Sequence, residues 1–346
     1  MINKFRHNPI LLISFGILIA TLIFVINLSI GSVHIPFAEL TGRLIGKAFS
    51  KSSWEIILME YRLPKAFTAI LAGISLSISG LQMQTFFRNP LAGPYVLGIS
   101  SGAGLGVSLL LLAGSAFGWS FYSGGIGIWS IVMAASGGSV LVLLLMSLTA
   151  WKVKDSMTLL IIGLMFGSAV SAVISVMAYF SNAEQLKMFT VWSMGSLGNT
   201  PLDQLAIFIL VVIIGLIPMV VKLKSYNAML LGEAYAESMG VNVRNLRWSM
   251  IFSTGILAGS ATAFCGPIAF IGIAVPHLAR LVFQTGDHRL LFPASAIIGT
   301  IVLLVCDAVS QLPGSSQTLP INAVTSLVGA PMVIWLILRR NFSKEF

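Results

Sequence analysis

The 346-residue sequence predicts an all-α integral membrane protein, a single transmembrane domain over residues 1–346 with about ten transmembrane helices. Three observations predict it. The chain is 57% hydrophobic and only 9% charged, with a mean hydropathy of +0.96, against roughly 25% charged residues in soluble domains. Its apolar runs recur at membrane-crossing length, over residues 9–28, 64–86, 94–113, 126–150, 156–180, 202–222, 247–265, 267–283, 291–309 and 319–338. With both termini placed inside, 14 of the 20 basic residues fall on the inner side, as the positive-inside bias requires. The net charge of +9 is therefore explained by span flanks, and no basic-aromatic patch supports nucleic-acid binding.

The first run follows Lys4 and Arg6 and is too long for the core of a signal peptide, so it reads as a span. The segment 29–62 is amphipathic and carries most of the outer cations; it reads as an extracytoplasmic loop with short interfacial helices. Arg88, Asn89 and Pro90, then Gly93 and Pro94, stop the second span and start the third. Gly98, Gly102 and Gly106 recur every fourth residue, a small-residue stripe that admits another helix to backbone distance. The fifth span carries a second stripe, Gly163, Gly167, Ser171 and Ser175, suited to close packing or to lining a wet cavity.

The longest inner loop, 223–246, contains a short helix over Leu231, Gly232, Glu233, Ala236 and Glu237, ended by Gly240 in the left-handed conformation. Glu233 and Glu237 share one face of it. At an offset of 186 residues, Leu71-Ala72-Gly73 matches Leu257-Ala258-Gly259, Gly80 matches Gly266 and Pro90 matches Pro276. Five spans separate the copies, so spans 2–5 and 7–10 are expected to form an inverted repeat.

Chemistry within the chain is sparse. Cys265 and Cys306 lie in apolar segments without metal-ligand spacing, and His7, His34, His277 and His288 have no triad or metal partner in sequence. A P-loop is missing: Gly42-Arg43-Leu44-Ile45-Gly46-Lys47-Ala48 is one residue short and lacks the Ser or Thr that holds Mg²⁺. An ion-coupled secondary transporter, the alternative reading, needs ionisable groups near the bilayer midplane, and none falls mid-span. The expectation is a passive, non-enzymatic pathway energised by another subunit.

The strings Arg88-Asn89-Pro90-Leu91-Ala92 and Leu97-Gly98-Ile99-Ser100-Ser101-Gly102-Ala103 resemble the permease subunits of the cobalamin, iron-siderophore and haem ABC importer family, the FecCD-type of type II importers. Trp192-Ser193-Met194-Gly195-Ser196-Leu197, Gly266-Pro267-Ile268-Ala269-Phe270-Ile271-Gly272 and Pro276-His277-Leu278-Ala279-Arg280 extend the likeness along nearly the whole chain. The resemblance implies a multi-pass protein of the bacterial inner membrane. It would pair with a second permease copy or homologue, two ATP-binding subunits and an extracytoplasmic substrate-binding protein, within membrane lipid. No cofactor is expected on this chain, ATP and Mg belonging to the partner. The resemblance also assigns roles. Arg62 and Lys65 would dock acidic groups of the binding protein, with Gln311 where relatives have an arginine. Gly163, Gly167, Ser171 and Ser175 would line the pathway, and the helix ending at Gly240 would couple to the ATPase. The cargo, a large metal chelate such as ferric siderophore, cobalamin or haem, is not specified by any residue.

Overall fold

A computed structural model describes residues 9–113, 128–153, 155–311 and 317–338. The basic residues Lys4, Arg6, Lys154, Arg339, Arg340 and Lys344, with His7, lie outside them. Every regular element among the described residues is helical. In order these are α1 (Pro9–Ser29), α2 (Phe37–Leu44), α3 (Ser52–Phe86), α4 (Ile99–Leu111), α5 (Ile128–Lys152), α6 (Ser156–Phe180) and α7 (Ala183–Ser193). They continue with α8 (Leu202–Val221), α9 (Leu223–Leu230), α10 (Glu233–Ser238), α11 (Val243–Cys265), α12 (Ile271–Phe283), α13 (His288–Ser310) and α14 (Ile321–Leu338). Among the described residues seven helices are long and apolar enough to cross a membrane. The other three expected spans are represented by the shorter apolar stretches Ile99–Leu111, Ile271–Phe283 and Ile321–Trp335.

The segment expected as a loop up to residue 62 is partly helix. Ser52–Arg62 continues into the second span, so α3 is 35 residues long. Pro64 looks like a helix start, but π-helical turns over Ile57–Arg62 precede it, with the Leu63 N–H donating to the Leu58 carbonyl.

α3 and α11 are the two most enclosed of the long helices, α1 and α6 the most exposed. α3 runs antiparallel to α13 in a constant register: Lys65 meets Asp307, Gly73 meets Gly299, and Thr85 meets His288. Glycine is required at the middle of this seam, since a methyl group on Gly73 would lie 2.5 Å from the Gly299 carbonyl oxygen. α11 packs on α5 in the same way, through Gly259 against Ser139 and Gly255 against Leu143.

The two halves repeat. α4 and α12 are both 13 residues long, and each follows a left-handed residue, Gly98 (φ 71°) and Phe270 (φ 65°). Thirteen residues span only about 20 Å, short of a hydrocarbon core of roughly 30 Å, so both are half-crossings entered through irregular chain. The match of Leu71-Ala72-Gly73 to Leu257-Ala258-Gly259 holds, because Gly73 and Gly259 each face the long helix crossing them. The other two matches fail. Gly80 is mid-helix against the Gly272 carbonyl, whereas Gly266 (φ 71°) ends α11; Pro90 lies in a turn, whereas Pro276 is inside α12. The connections before the short helices differ in length, so no single offset aligns both halves.

The first glycine stripe is also divided. Gly102 and Gly106 pack on Gly138 and Ala134 of α5 as expected, but Gly98 precedes α4 as its left-handed cap and does not belong to the helix face.

Candidate functional site

Polar side chains collect at the two ends of the bundle. At one end lie α9, α10, the last turn of α3 and the first turns of α6, α11 and α13. The expected short helix is here, but it starts later than the sequence suggests: α9 and α10 are separate, and Leu231 and Gly232 (φ 107°) form the break between them. Gly240 (φ 82°) does end α10. Its N–H donates to the Glu237 carbonyl and that of Val241 to the Ala236 carbonyl, the paired bonds of a Schellman cap. No atom lies within 4 Å of a methyl group built on Gly240, so only its dihedral angle excludes other residues. Gly240→Ala should therefore cost about 1–2 kcal/mol locally, visible as faster amide exchange over α10 with the bundle core unchanged.

The face of α10 differs from the acidic one expected. Glu233 turns inward, where Arg247 of α11 holds both carboxylate oxygens at 2.6 and 2.7 Å and also reaches Ser156 of α6. Ala236 is buried. Outward lie Tyr235 of α10 and, just before and after the helix, Leu231 and Met239, which are 50%, 65% and 60% exposed, beside the smaller exposed residues Ala234 and Ser238. Glu237, also exposed, borders a cavity of about 410 Å³ with Trp151, Arg244 and Trp248. Below it, Asp155 caps α6 by accepting from the Thr158 hydroxyl and N–H, which hold its carboxyl below the usual carboxylate range. Asp287 caps α13. Burial pushes its carboxyl up, but the Arg289 N–H and the Asn227 amide outweigh this and keep it low.

At the other end the two cations expected to dock a partner have intramolecular partners instead. Arg62 is 7% exposed and donates to the carbonyls of Leu28 (2.6 Å), Ser29 (3.0 Å) and Val33. The first two are carbonyls of the last turn of α1, where a cation is favoured by the helix dipole, and the third lies in the loop that follows it. Lys65 lies 2.8 Å from Asp307, which is 1% exposed and also accepts from Asn27 (2.9 Å) and Gln311 (3.0 Å). Asp307 thus ties α1, α3 and α13 together. Arg62 and Gln311 are buried and present nothing to a docked protein, which corrects the expectation for both. Lys65 alone borders open space, a cleft of about 390 Å³ shared with Tyr61 and Asn199.

Residues 18–339 match the FecCD transport family model. The chain belongs to the FecCD transport family. It is 33% identical over 338 residues to the hemin transport system permease protein HmuU of Yersinia pestis, covering 97% of this chain and 98% of that one. It is 34% identical over 289 residues to the vitamin B12 import system permease protein BtuC of Salmonella paratyphi A, covering 82% and 84%. Its fold matches a solved structure of an inward-facing metal-chelate type ABC transporter with a TM-score of 0.80 and 26% identity, covering 96% of this chain and all of that one.

Within this FecCD-family fold the stripe on α6 is split. Gly163 is buried beneath the Val96 carbonyl, a packing position, and Gly167 is half-buried beside the Ser101 hydroxyl. Ser171 and Ser175 are exposed. The reason is the packing of α6: its first turns lie against the chain around Val96 and Ser101, whereas none of its residues after Gly163 is buried, on any face. Sequence reading missed α7, although Asn182 and Gln185 form its capping box and that spacing was legible. It also missed Gln82, Gln84 and Thr85, polar residues inside an apolar run, which lipid makes costly unless they have partners.

Proposed function

We propose that this chain is the membrane-spanning permease subunit of an ATP-driven importer that moves a large metal chelate from a soluble binding protein into the cytoplasm. The hemin and vitamin B12 permeases among its relatives supply the substrate class: haem, cobalamin or a ferric chelate of similar size. The chain works as a passive pathway, paired with a second permease copy or homologue, while two ATPase subunits bind ATP and Mg. The end bearing α9 and α10 faces the cytoplasm together with both termini, in accord with the charge distribution.

The observation that carries this reading is the outward placement of Leu231, Tyr235 and Met239. Three large apolar side chains on a charged loop end of the bundle call for a partner with a complementary groove. Glu233, paired with Arg247, fixes that face to α11 and α6. The exposed Ser171 and Ser175 of α6 supply the weakly polar wall of the pathway between the two copies. A tagged copy of this chain should co-purify with the P-loop ATPase encoded for the same transporter. Isolation of the chain in native membrane without such a subunit, yet active in uptake, would contradict the reading and favour an ion-coupled transporter.

A further inference from the structure

We infer that a buried polar relay from Tyr226 and Asn227 to Gln82 and Thr85 links the coupling end to the bundle core and transmits movement of α9 and α10 into α3 and α13. The inference rests on the permease reading and deepens it by naming positioning residues inside the chain.

Two branches leave α9 side by side. In the first, Asn227 Nδ2 donates to Asp287 Oδ1 (2.6 Å), which turns Asn227 Oδ1 toward His288. That oxygen accepts from the His288 backbone N–H (2.8 Å) and from Nδ1 (2.9 Å). With the proton assigned to Nδ1, Nε2 is an acceptor 2.8 Å from the Thr85 hydroxyl, whose single proton is shared between Nε2 and the Leu81 carbonyl of its own helix (2.9 Å). In the second branch, the Tyr226 hydroxyl donates to Gln82 Oε1 (3.2 Å), and Gln82 Nε2 donates to Ser253 Oγ (2.8 Å). Ser253 passes the contact on to the Gly215 carbonyl of α8 (2.6 Å). Tyr226, Gln82, Thr85, Ser253 and His288 are all fully buried.

This arrangement does more than fill a core. Gln82 and Thr85 lie one turn apart near the end of α3, so α9 grips one helix through two independent chains of bonds. Thr85 and His288 also form one end of the α3–α13 seam, whose other end is the Lys65–Asp307 pair. A displacement of α9 therefore has to move α3 and α13 as a unit or break buried hydrogen bonds that apolar surroundings make costly.

The test uses this chain with its ATPase subunits in lipid nanodiscs. Cys265 and Cys306 are replaced by alanine, and Ser175→Cys reports on α6 through its reaction with a membrane-impermeant maleimide. Labelling is compared without nucleotide and with Mg-ATP plus vanadate. Thr85→Val and Tyr226→Phe cut one branch each without a change of volume, and Thr85→Ser restores the hydroxyl. The expected result is that both cuts together keep ATPase binding and basal hydrolysis. The nucleotide-dependent change in labelling rate should fall roughly tenfold, within the range for residues that carry coupling, and Ser at 85 should recover it. A full nucleotide response in the double variant, or in each single variant if the double one fails to assemble, would overturn the relay. Failure of the unsubstituted chain to bind any ATPase subunit would instead overturn the permease reading itself.

Discussion

Asp307→Ala is expected to destabilise the bundle by about 1–3 kcal/mol, the cost of leaving the buried amides around it without their acceptor. Lys65 would keep its charge in a largely enclosed position, and the amides of Asn27 and Gln311 would lose an acceptor in the same step. Three helices, α1, α3 and α13, meet at this carboxylate, so the loss is felt as loosening of α1 as well as of the seam. Replacing both charges, Lys65→Met with Asp307→Leu, should recover most of the stability, because a buried pair exchanged for apolar groups is often close to neutral. Unfolding by denaturing detergent in mixed micelles measures both. A loss below about 1 kcal/mol for Asp307→Ala would place the pair among weak, solvated surface bridges and remove it from the account of the fold.

Leu231→Asp with Tyr235→Asp should abolish association with the ATPase while leaving the bundle intact. Both side chains are mostly exposed in the free chain, so the substitutions remove little internal packing. Burial of each against a partner is worth about 1.5–3 kcal/mol, and a charge in their place adds a desolvation penalty. The combined effect on affinity is a loss of roughly a hundredfold or more. Titration of labelled ATPase subunit onto nanodisc-embedded chain would show it. Unaltered affinity would mean that the partner engages another surface. Glu237→Gln, on the same helix but at the rim of the neighbouring cavity, should change affinity little.

The sequence made the class and most of the helices legible because lipid imposes long apolar runs and charged flanks that need no tertiary information. The break at Gly240 was legible for a similar reason, since a local dihedral demand shows in the residue type. Arg62 and Lys65 were assigned to docking by resemblance and by their place on the outer side, neither of which reveals a partner within the chain. Their partners, the carbonyls ending α1 and the carboxylate of Asp307, are distant in sequence and visible only once α1, α3 and α13 are packed. Glu233 misled likewise, since nothing local distinguishes an acid that faces a partner from one that turns to an arginine 14 positions on. The stripe on α6 was not divisible in sequence, because only packing shows that the helix is buried at Gly163 and at no residue beyond it.

The central claim, that transport through this chain is driven by ATP hydrolysed on a partner held at the α9–α10 face, is tested most directly by uptake into proteoliposomes. These contain the chain with its ATPase and are supplied with binding protein and, in turn, haemin, cyanocobalamin and a ferric siderophore. The expected result is accumulation of one of these chelates only when Mg-ATP is present on the α9–α10 side, undiminished by a protonophore or a sodium ionophore. Accumulation without ATP under an imposed proton or sodium gradient, abolished by the matching ionophore, would contradict it.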